Sequence, residues 1–138
     1  MLEELNGVFK DVIKLARDRR VYYEQNVPAG VVYTLQEISA FHKSSEGQKL
    51  EEKKKVLKNY LEELDFDTVK IIQSIMYLGR DRDHDKQDTP EEIFRKLRED
   101  FDALGWHSKS IEINKIVEKA PLDEYLEDGL KILQINLK

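Results

Sequence analysis

Apolar residues recur at steps of three and four along most of the chain, which is the spacing that predicts amphipathic helices. The first such stretch covers residues 2–20 and the second covers residues 48–63, while two more begin near Pro90 and Leu122. A length of 138 residues is typical of one domain. The pattern therefore predicts an all-α fold, in which residues 1–138 form a single-domain bundle of five to six helices.

One segment, at about residues 66–78, carries apolar residues on more than one side of a helical wheel. These apolar residues are Phe66, Val69, Ile71, Ile72, Ile75, Met76, Tyr77 and Leu78. A helix of this kind is buried over most of its circumference. We therefore expect residues 66–78 to form the centre of the bundle, with the other helices packed around them. Gly79 is expected to close this helix by taking the left-handed conformation.

The pattern changes between the first and second long helices. Residues 21–33 place β-branched and aromatic side chains on both sides of an Asn-Val-Pro-Ala-Gly turn. This arrangement predicts either a short β-hairpin at 21–33 or an ordered loop held by its tyrosines. The quartet Thr34–Glu37 matches a capping box, so a short helix that carries Leu35, Ile38 and Phe41 is expected to follow.

Charged residues make up 37% of the chain, but the two signs are interleaved and the net charge is -5. A protein that binds nucleic acid concentrates Lys and Arg on one face, so nucleic acid is not an expected partner. The one basic cluster, Lys53 to Lys55, directly follows two glutamates. Alternation of this kind favours a solvated helix face over a phosphate site.

The chain contains no cysteine, which excludes disulfides and thiolate metal sites. No apolar stretch approaches the ~20 residues that a membrane span needs, and the first residues are amphipathic rather than leader-like. We therefore expect a cytoplasmic protein with no membrane partner. A glycine-rich loop that could hold phosphates is also missing from the sequence, so no nucleotide cofactor is expected.

Two blocks of the sequence, residues 75–81 and residues 120–130, resemble a small bacterial family that is described only as a domain of unknown function. Members of that family typically show Met-Trp-Leu-Gly-Arg-Gly, followed by a closing Pro-Leu-x-x-Tyr-Leu-x-x-Gly-Leu block. The chain departs from this pattern in having Tyr77 in place of Trp and Asp81 in place of Gly. The similarity covers about residues 60–133 and implies a helical bacterial domain with no established activity.

The resemblance singles out Arg80, Tyr125 and Gly129 for inspection. We expect the two blocks to touch, through an ion pair between Arg80 and an acidic side chain of the last helix. Because glycine is unfavourable inside an exposed helix, Gly129 is expected to mark a close approach between two helices.

Two candidate sites lie after the central segment. The first is a cleft around Tyr77, Arg80, His84 and Tyr125, which could bind a small ligand or an anion. The second is a cation loop. Its carboxylates are Asp81, Asp83, Asp85 and Glu92, which occupy places 1, 3, 5 and 12 of a calcium-loop template.

The calcium template is incomplete, because Lys86 stands where the loop requires glycine. Glu92 is also explained as the partner of Thr89 in a capping box. A solvated charged loop and a loop that binds a partner are the alternatives to a metal site.

No catalytic motif is fixed by local spacing, so no catalytic residue and no cofactor are assigned. By elimination, we expect a non-enzymatic protein-interaction module that associates with a protein partner or with itself as a homodimer. The alternatives are a small-ligand-binding protein or enzyme with a cleft around Arg80, and cation binding at the loop from Asp81 to Glu92. A convergent polar pocket that includes Arg80 would favour the ligand-binding alternative, whereas an apolar two-fold patch would favour the interaction module.

Overall fold

The computed structural model describes residues 2–26, 34, 36, 37, 40 and 43–137. Within these ranges the chain is helical and forms no strand, which confirms the all-α prediction. A short 3-10 turn at Glu3–Leu5 precedes the α-helices. The helices are α1 (Asn6–Asn26), α2 (Ser45–Glu63), α3 (Phe66–Asp81), α4 (Pro90–Leu104), α5 (Lys109–Val117) and α6 (Leu122–Ile132).

The predicted hairpin at 21–33 is wrong for its described part, because residues 21–26 are the last turns of α1. There the side chain of Asn26 donates a hydrogen bond to the carbonyl oxygen of Tyr22 at 2.8 Å. The ammonium group of Lys53, on α2, lies 5.4 Å from the centre of the Tyr22 ring. Packing against α2 thus holds these β-prone residues in a helix, since strand propensity depends strongly on context.

The rest of the predicted hairpin, residues 27–33, lies outside the described residues, and so do Leu35, Ile38 and Phe41 of the predicted short helix. The capping interaction at the start of that helix is present. The backbone N–H of Glu37 donates to the Thr34 hydroxyl oxygen at 3.1 Å.

Helix α3 contributes more buried residues than any other described helix. Its buried residues are Thr68, Val69, Ile71, Ile72, Gln73, Ser74, Ile75, Met76, Leu78 and Gly79. The helix packs most extensively on α6 and also contacts α5 and α4. Helix α1 packs on α2 and α6, and α2 also contacts α5. The result is a continuous apolar core to which every described helix contributes.

Gly79 does not end α3, contrary to the sequence prediction. The helix continues to Asp81, and Arg82 takes the left-handed conformation with φ 54°. Gly79 is needed instead for contact with α6. A Cβ atom at Gly79 would overlap the carbonyl oxygen of Tyr125 and would lie 2.6 Å from the backbone nitrogen of Gly129.

Gly129 makes the matching contact from the side of α6. A Cβ atom there would overlap the carbonyl oxygen of Ile75 and would lie 2.8 Å from the Ile75 Cγ2 atom. The close helix approach expected at Gly129 is therefore present, and it joins the two sequence blocks backbone to backbone.

Two other helix boundaries follow the sequence signals. The hydroxyl of Thr89 caps α4 by accepting the N–H of Glu92 at 3.3 Å. Ser108 caps α5 in the same way, through the N–H of Ile111 at 3.3 Å. Within the described ranges, no helix is both long enough and apolar enough to cross a membrane.

Candidate functional site

A solvent-open cavity of about 470 Å³ lies where α3, α4 and α5 meet. We call it the aromatic cavity. Its inner surface is formed by Gln73, Tyr77, Phe101, Trp106 and Glu112. Its mouth carries the charged or titratable side chains of Arg80, Asp81, His107 and Lys115. The volume falls within the range of small-molecule sites.

Two polar side chains line the inner surface although they are almost completely buried. Gln73 is 2% exposed and Glu112 is 3% exposed. In the described part of the structure, neither Gln73 Oε1 nor Glu112 Oε1 has a hydrogen-bond partner. Each unsatisfied buried polar group costs about 1–3 kcal/mol.

The charge of Glu112 is nevertheless balanced. The Nζ atom of Lys115, one helical turn further along α5, lies 3.0 Å from Glu112 Oε1. The two groups form an ion pair without the angles of a hydrogen bond. The negative charge of Glu112 is thus neutralised although its side chain is buried.

Three aromatic rings form one wall of the cavity. The Tyr77 and Phe101 ring centres are 5.6 Å apart, and the Phe101 and Trp106 ring centres are 6.0 Å apart. The rings are tilted by 40° and 51°, so they present edges and faces to the cavity rather than one stack. Such rings offer apolar area and π-faces to a bound molecule.

The orientation of Trp106 is fixed by polar neighbours. Its indole N–H donates to the carboxylate of Asp102 at 2.7 Å. This hydrogen bond lowers the pKa of Asp102, and the hydrogen bond and charge of Arg98 add to the effect. The ammonium group of Lys70 lies 5.4 Å from the Trp106 ring centre. These contacts hold the Trp106 ring in one orientation.

Arg80 and Asp81 form a neighbouring ion pair at the mouth of the cavity. The Nε and Nη2 atoms of Arg80 donate to the two carboxylate oxygens of Asp81 at 2.8 and 3.2 Å. The hydrogen bond to Asp81 raises the pKa of Arg80. The guanidinium carbon also lies 4.6 Å from the centre of the Tyr77 ring. Arg80 therefore covers one end of the aromatic wall.

The structure brings together two of the four residues predicted for the ligand cleft. Tyr77 and Arg80 both line the aromatic cavity, whereas His84 and Tyr125 do not. His84 lies in the loop after α3, and its Nδ1 atom is buried without a described hydrogen-bond partner. Tyr125 lies on α6, where its carbonyl oxygen contacts Gly79.

The prediction of an ion pair between Arg80 and the last helix is wrong. Arg80 pairs with Asp81, while Arg82 makes the pair with α6, through Asp128 at 3.0 Å. The reason is that α3 extends further than the sequence predicted. Because the helix ends at Asp81 and turns at Arg82, the side chain of Arg82 is the one that reaches α6.

Three of the four carboxylates of the predicted calcium loop have separate interactions. Asp81 pairs with Arg80, and Asp85 Oδ1 accepts the backbone N–H of Gln87 at 2.9 Å. Glu92 accepts the hydroxyl of Thr89 at 3.2 Å, and Asp83 is exposed. Among the described residues, no group of three or more His, Cys, Asp or Glu side chains is arranged to hold a metal ion. Because Asp81 belongs to α3, the loop does not begin where the template requires.

Four residues of the inner surface of the cavity were not predicted as site residues from the sequence: Gln73, Phe101, Trp106 and Glu112. Gln73 carried a usable signal, because it interrupts the apolar run of α3. Its neighbour Ser74 interrupts the same run, but the Ser74 hydroxyl donates to the carbonyl oxygen of Lys70 at 2.8 Å. The Ser74 bond is local to α3, whereas only the tertiary structure shows that Gln73 Oε1 has no partner.

A second buried polar cluster joins α1 to α6. Asp123 is 0% exposed and accepts hydrogen bonds from Arg20 Nε and Nη2, both at 2.9 Å. Arg17 Nε donates to the same carboxylate at 3.4 Å and also contacts Glu127. Since its carboxylate is fully satisfied, this cluster holds helices together and offers no open acceptor.

No protein-family model, curated protein or solved structure is significantly similar to this chain. The geometry of the aromatic cavity is therefore the basis for assigning a function.

Proposed function

We propose that this protein binds a small organic molecule in the aromatic cavity. One observation carries the proposal: the rings of Tyr77, Phe101 and Trp106 form one wall of a solvent-open cavity of about 470 Å³ that polar side chains also line. Helix α3, which we propose as the centre of the bundle, supplies Gln73, Tyr77 and Arg80 to this site. A convergent polar pocket that includes Arg80 favours ligand binding over the interaction module expected from the sequence.

The proposed activity is binding rather than catalysis. The carboxylates that border the cavity, Glu112 and Asp81, are ion-paired with Lys115 and Arg80. Each carboxylate is thus engaged by a cation of its own helix, and neither is free to act as a general base beside the cavity. Cation binding at the loop is not proposed, since Asp81, Asp85 and Glu92 have other partners.

Gln73→Leu tests the proposal through stability and binding together. Leucine has a similar size and no polar atom, so we expect the ligand-free variant to be more stable by about 1–2 kcal/mol. The gain in the free energy of unfolding can be measured by urea denaturation followed by circular dichroism. We expect the same variant to lose ligand binding, as is typical where a site keeps an unfavourable polar group for function.

Ser74→Ala is the matched control, because Ser74 is also buried in α3 but its hydroxyl is satisfied. This variant should not gain stability and should retain ligand binding. Ligand binding is followed by the fluorescence of Trp106, which is the only tryptophan in the chain. A loss of stability in Gln73→Leu equal to that of an ordinary core substitution would contradict the proposal.

Self-association is a second candidate, and Leu104 is the residue that favours it. Its side chain, at the end of α4, is 83% exposed, more than any other large hydrophobic residue described. We expect a dimer in native mass spectrometry at micromolar concentration and a smaller dimer fraction for Leu104→Ser. A monomer at every concentration would remove this candidate. Membership of the bacterial family that the two blocks resemble likewise stays a proposal.

A further inference from the structure

We infer that a second cavity of this protein binds a medium-chain alkyl carboxylate, which is a fatty acid in its ionised form. This cavity has a volume of about 390 Å³ and lies between α1, α2 and the connection from α5 to α6. We call it the apolar cavity. It shares no lining residue with the aromatic cavity, so the inference is independent of the proposed function.

The inner lining of the apolar cavity favours an alkyl chain. It includes the buried side chains of Ala16 on α1, Leu57 on α2 and Leu122 on α6. Leu50 and Pro121 add further apolar surface. Each methylene group that a ligand buries against such a surface raises its affinity about fourfold. The volume lies within the range of small-molecule sites.

The charged side chains around the apolar cavity are mostly positive. Arg19, Arg20, Lys54 and Lys119 line it, and Glu51 is the one acidic side chain in its described lining. Arg20 is already paired within the cluster that joins α1 to α6. The other three cations form no ion pair with any Asp or Glu side chain, all of which lie in the described part of the chain. An anionic group would therefore find three cations that are not engaged by a carboxylate.

Arg19 is the cation best placed to orient a carboxylate. Its Nη1 atom donates to the carbonyl oxygen of Val117 at 2.8 Å, which holds the guanidinium at the end of α5. Burial lowers the pKa of Arg19, and the charge of Glu51 opposes this effect. A guanidinium carries five N–H donors in a planar fork that matches a carboxylate. A carboxylate ligand would supply charge-assisted hydrogen bonds to donors that the Val117 carbonyl does not use.

Glu51 limits the charge of the ligand. Its carboxylate lies in the same lining as Arg19, Lys54 and Lys119. A ligand with two negative charges, such as an alkyl phosphate, would be repelled more strongly by Glu51 than a ligand with one. The balance of charges therefore favours a carboxylate over a phosphate.

Octanoate, hexanoate and 1-octanol are the first probes, each used below the concentration at which it forms micelles. Isothermal titration calorimetry gives the dissociation constants. We expect octanoate to bind at least about tenfold more tightly than hexanoate, because it buries two more methylene groups. We expect a similar advantage over 1-octanol, which has the same chain and no charge. Octylammonium and octyl phosphate are expected to bind more weakly than octanoate.

Arg19→Met removes the guanidinium and keeps an unbranched apolar side chain. We expect octanoate to bind about tenfold more weakly to this variant, and 1-octanol to bind as it does to the original protein. Unchanged binding of 1-octanol shows that the cavity is intact. Circular dichroism checks that the fold is retained.

Lys54→Met repeats the test without removing a described hydrogen bond, and octanoate is expected to bind about threefold more weakly to it. Lys55→Met is the matched control, because Lys55 is the next residue of α2, is exposed and does not line the cavity. Its affinity for octanoate should remain within about twofold of the original value.

Four outcomes would overturn the inference. Equal affinity for octanoate and 1-octanol would exclude a site for a carboxylate, and equal affinity for octanoate and hexanoate would exclude burial of the chain. Tightest binding by octylammonium or octyl phosphate would assign the cavity to another class of ligand. Absence of binding by every probe, or equal losses for Lys54→Met and Lys55→Met, would remove the site. These outcomes leave the aromatic cavity untouched, since Gln73→Leu tests it separately.

Discussion

Gly129→Ala is expected to destabilise the protein by about 3 kcal/mol or more, which is a large fraction of the stability of a domain of this size. The new methyl group would overlap the carbonyl oxygen of Ile75. This oxygen belongs to the backbone of α3, so it cannot move aside by a change of rotamer. Relief of the overlap requires α3 and α6 to separate, and their separation would loosen the most extensive helix contact in the fold.

Gly79→Ala is expected to have a similar effect from the other helix. Its methyl group would overlap the carbonyl oxygen of Tyr125 and would lie 2.6 Å from the nitrogen of Gly129. Urea denaturation followed by circular dichroism measures both losses. Where a variant is too unstable to purify, its yield and its melting temperature in lysate show whether it is less stable than the original protein.

Gly7→Ala is the matched control for both variants. Gly7 lies in the first turn of α1, and a Cβ atom there would have no heavy atom within 4 Å. The same chemical change should therefore raise stability by about 0.5–1 kcal/mol, because alanine has the better helix propensity. Losses below about 0.5 kcal/mol for Gly79→Ala and Gly129→Ala would mean that the two helices do not approach this closely.

Arg20→Met is expected to cost about 3 kcal/mol, since it leaves the fully buried carboxylate of Asp123 without its bidentate partner. The expected loss is at the lower end for a broken buried pair, because Arg20 is partly exposed and Arg17 still donates at 3.4 Å. Arg95→Met is the control. Arg95 pairs with Glu99 at the surface, so its removal should change stability by less than about 0.5 kcal/mol.

The same cluster predicts a dependence of stability on pH. Burial opposes the charged form of Asp123, but the hydrogen bond from Arg20 and the charges of Arg20 and Arg17 outweigh it, so the pKa of Asp123 is lowered. A carboxyl group whose pKa is lower in the folded state contributes stability above its unfolded pKa of about 3.9. This contribution is lost as the pH falls through the folded pKa.

Asp123→Asn isolates this contribution from those of the other carboxylates. We expect the variant to be less stable than the original protein by about 2 kcal/mol near pH 7, and the difference to shrink below about pH 4. Urea denaturation of both proteins across this range gives the difference directly. If the difference in the free energy of unfolding between the two proteins stays constant down to about pH 2, the Asp123 carboxylate gains no stability from its arginine partners.

Much of the helical structure could be predicted because its signals are local. Thr89, for example, marks the start of α4 through a hydrogen bond to a residue three positions away. The apolar run within 66–78 indicated the burial of α3 for a similarly local reason, since the helical period fixes which faces carry apolar groups. Errors arose at boundaries where a neighbouring helix decides. Residues 21–26 stay helical beside α2, and Gly79 stays helical beside α6.

The residues of the candidate site fall into the same two groups: those that local sequence signals predicted and those that only the packing of helices revealed. The sequence by itself determined the all-α class and most helix starts, because these depend on the order and periodicity of neighbouring residues. Interest in Arg80 came from the resemblance of residues 75–81 to the bacterial family. Only the tertiary structure brought Gln73 of α3, Trp106 of the α4–α5 connection and Glu112 of α5 to one cavity. It also decided that Gln73 Oε1 lacks a hydrogen-bond partner. Hydrogen-bond satisfaction of a buried group depends on every element packed against it, and that information is absent from any single stretch of sequence.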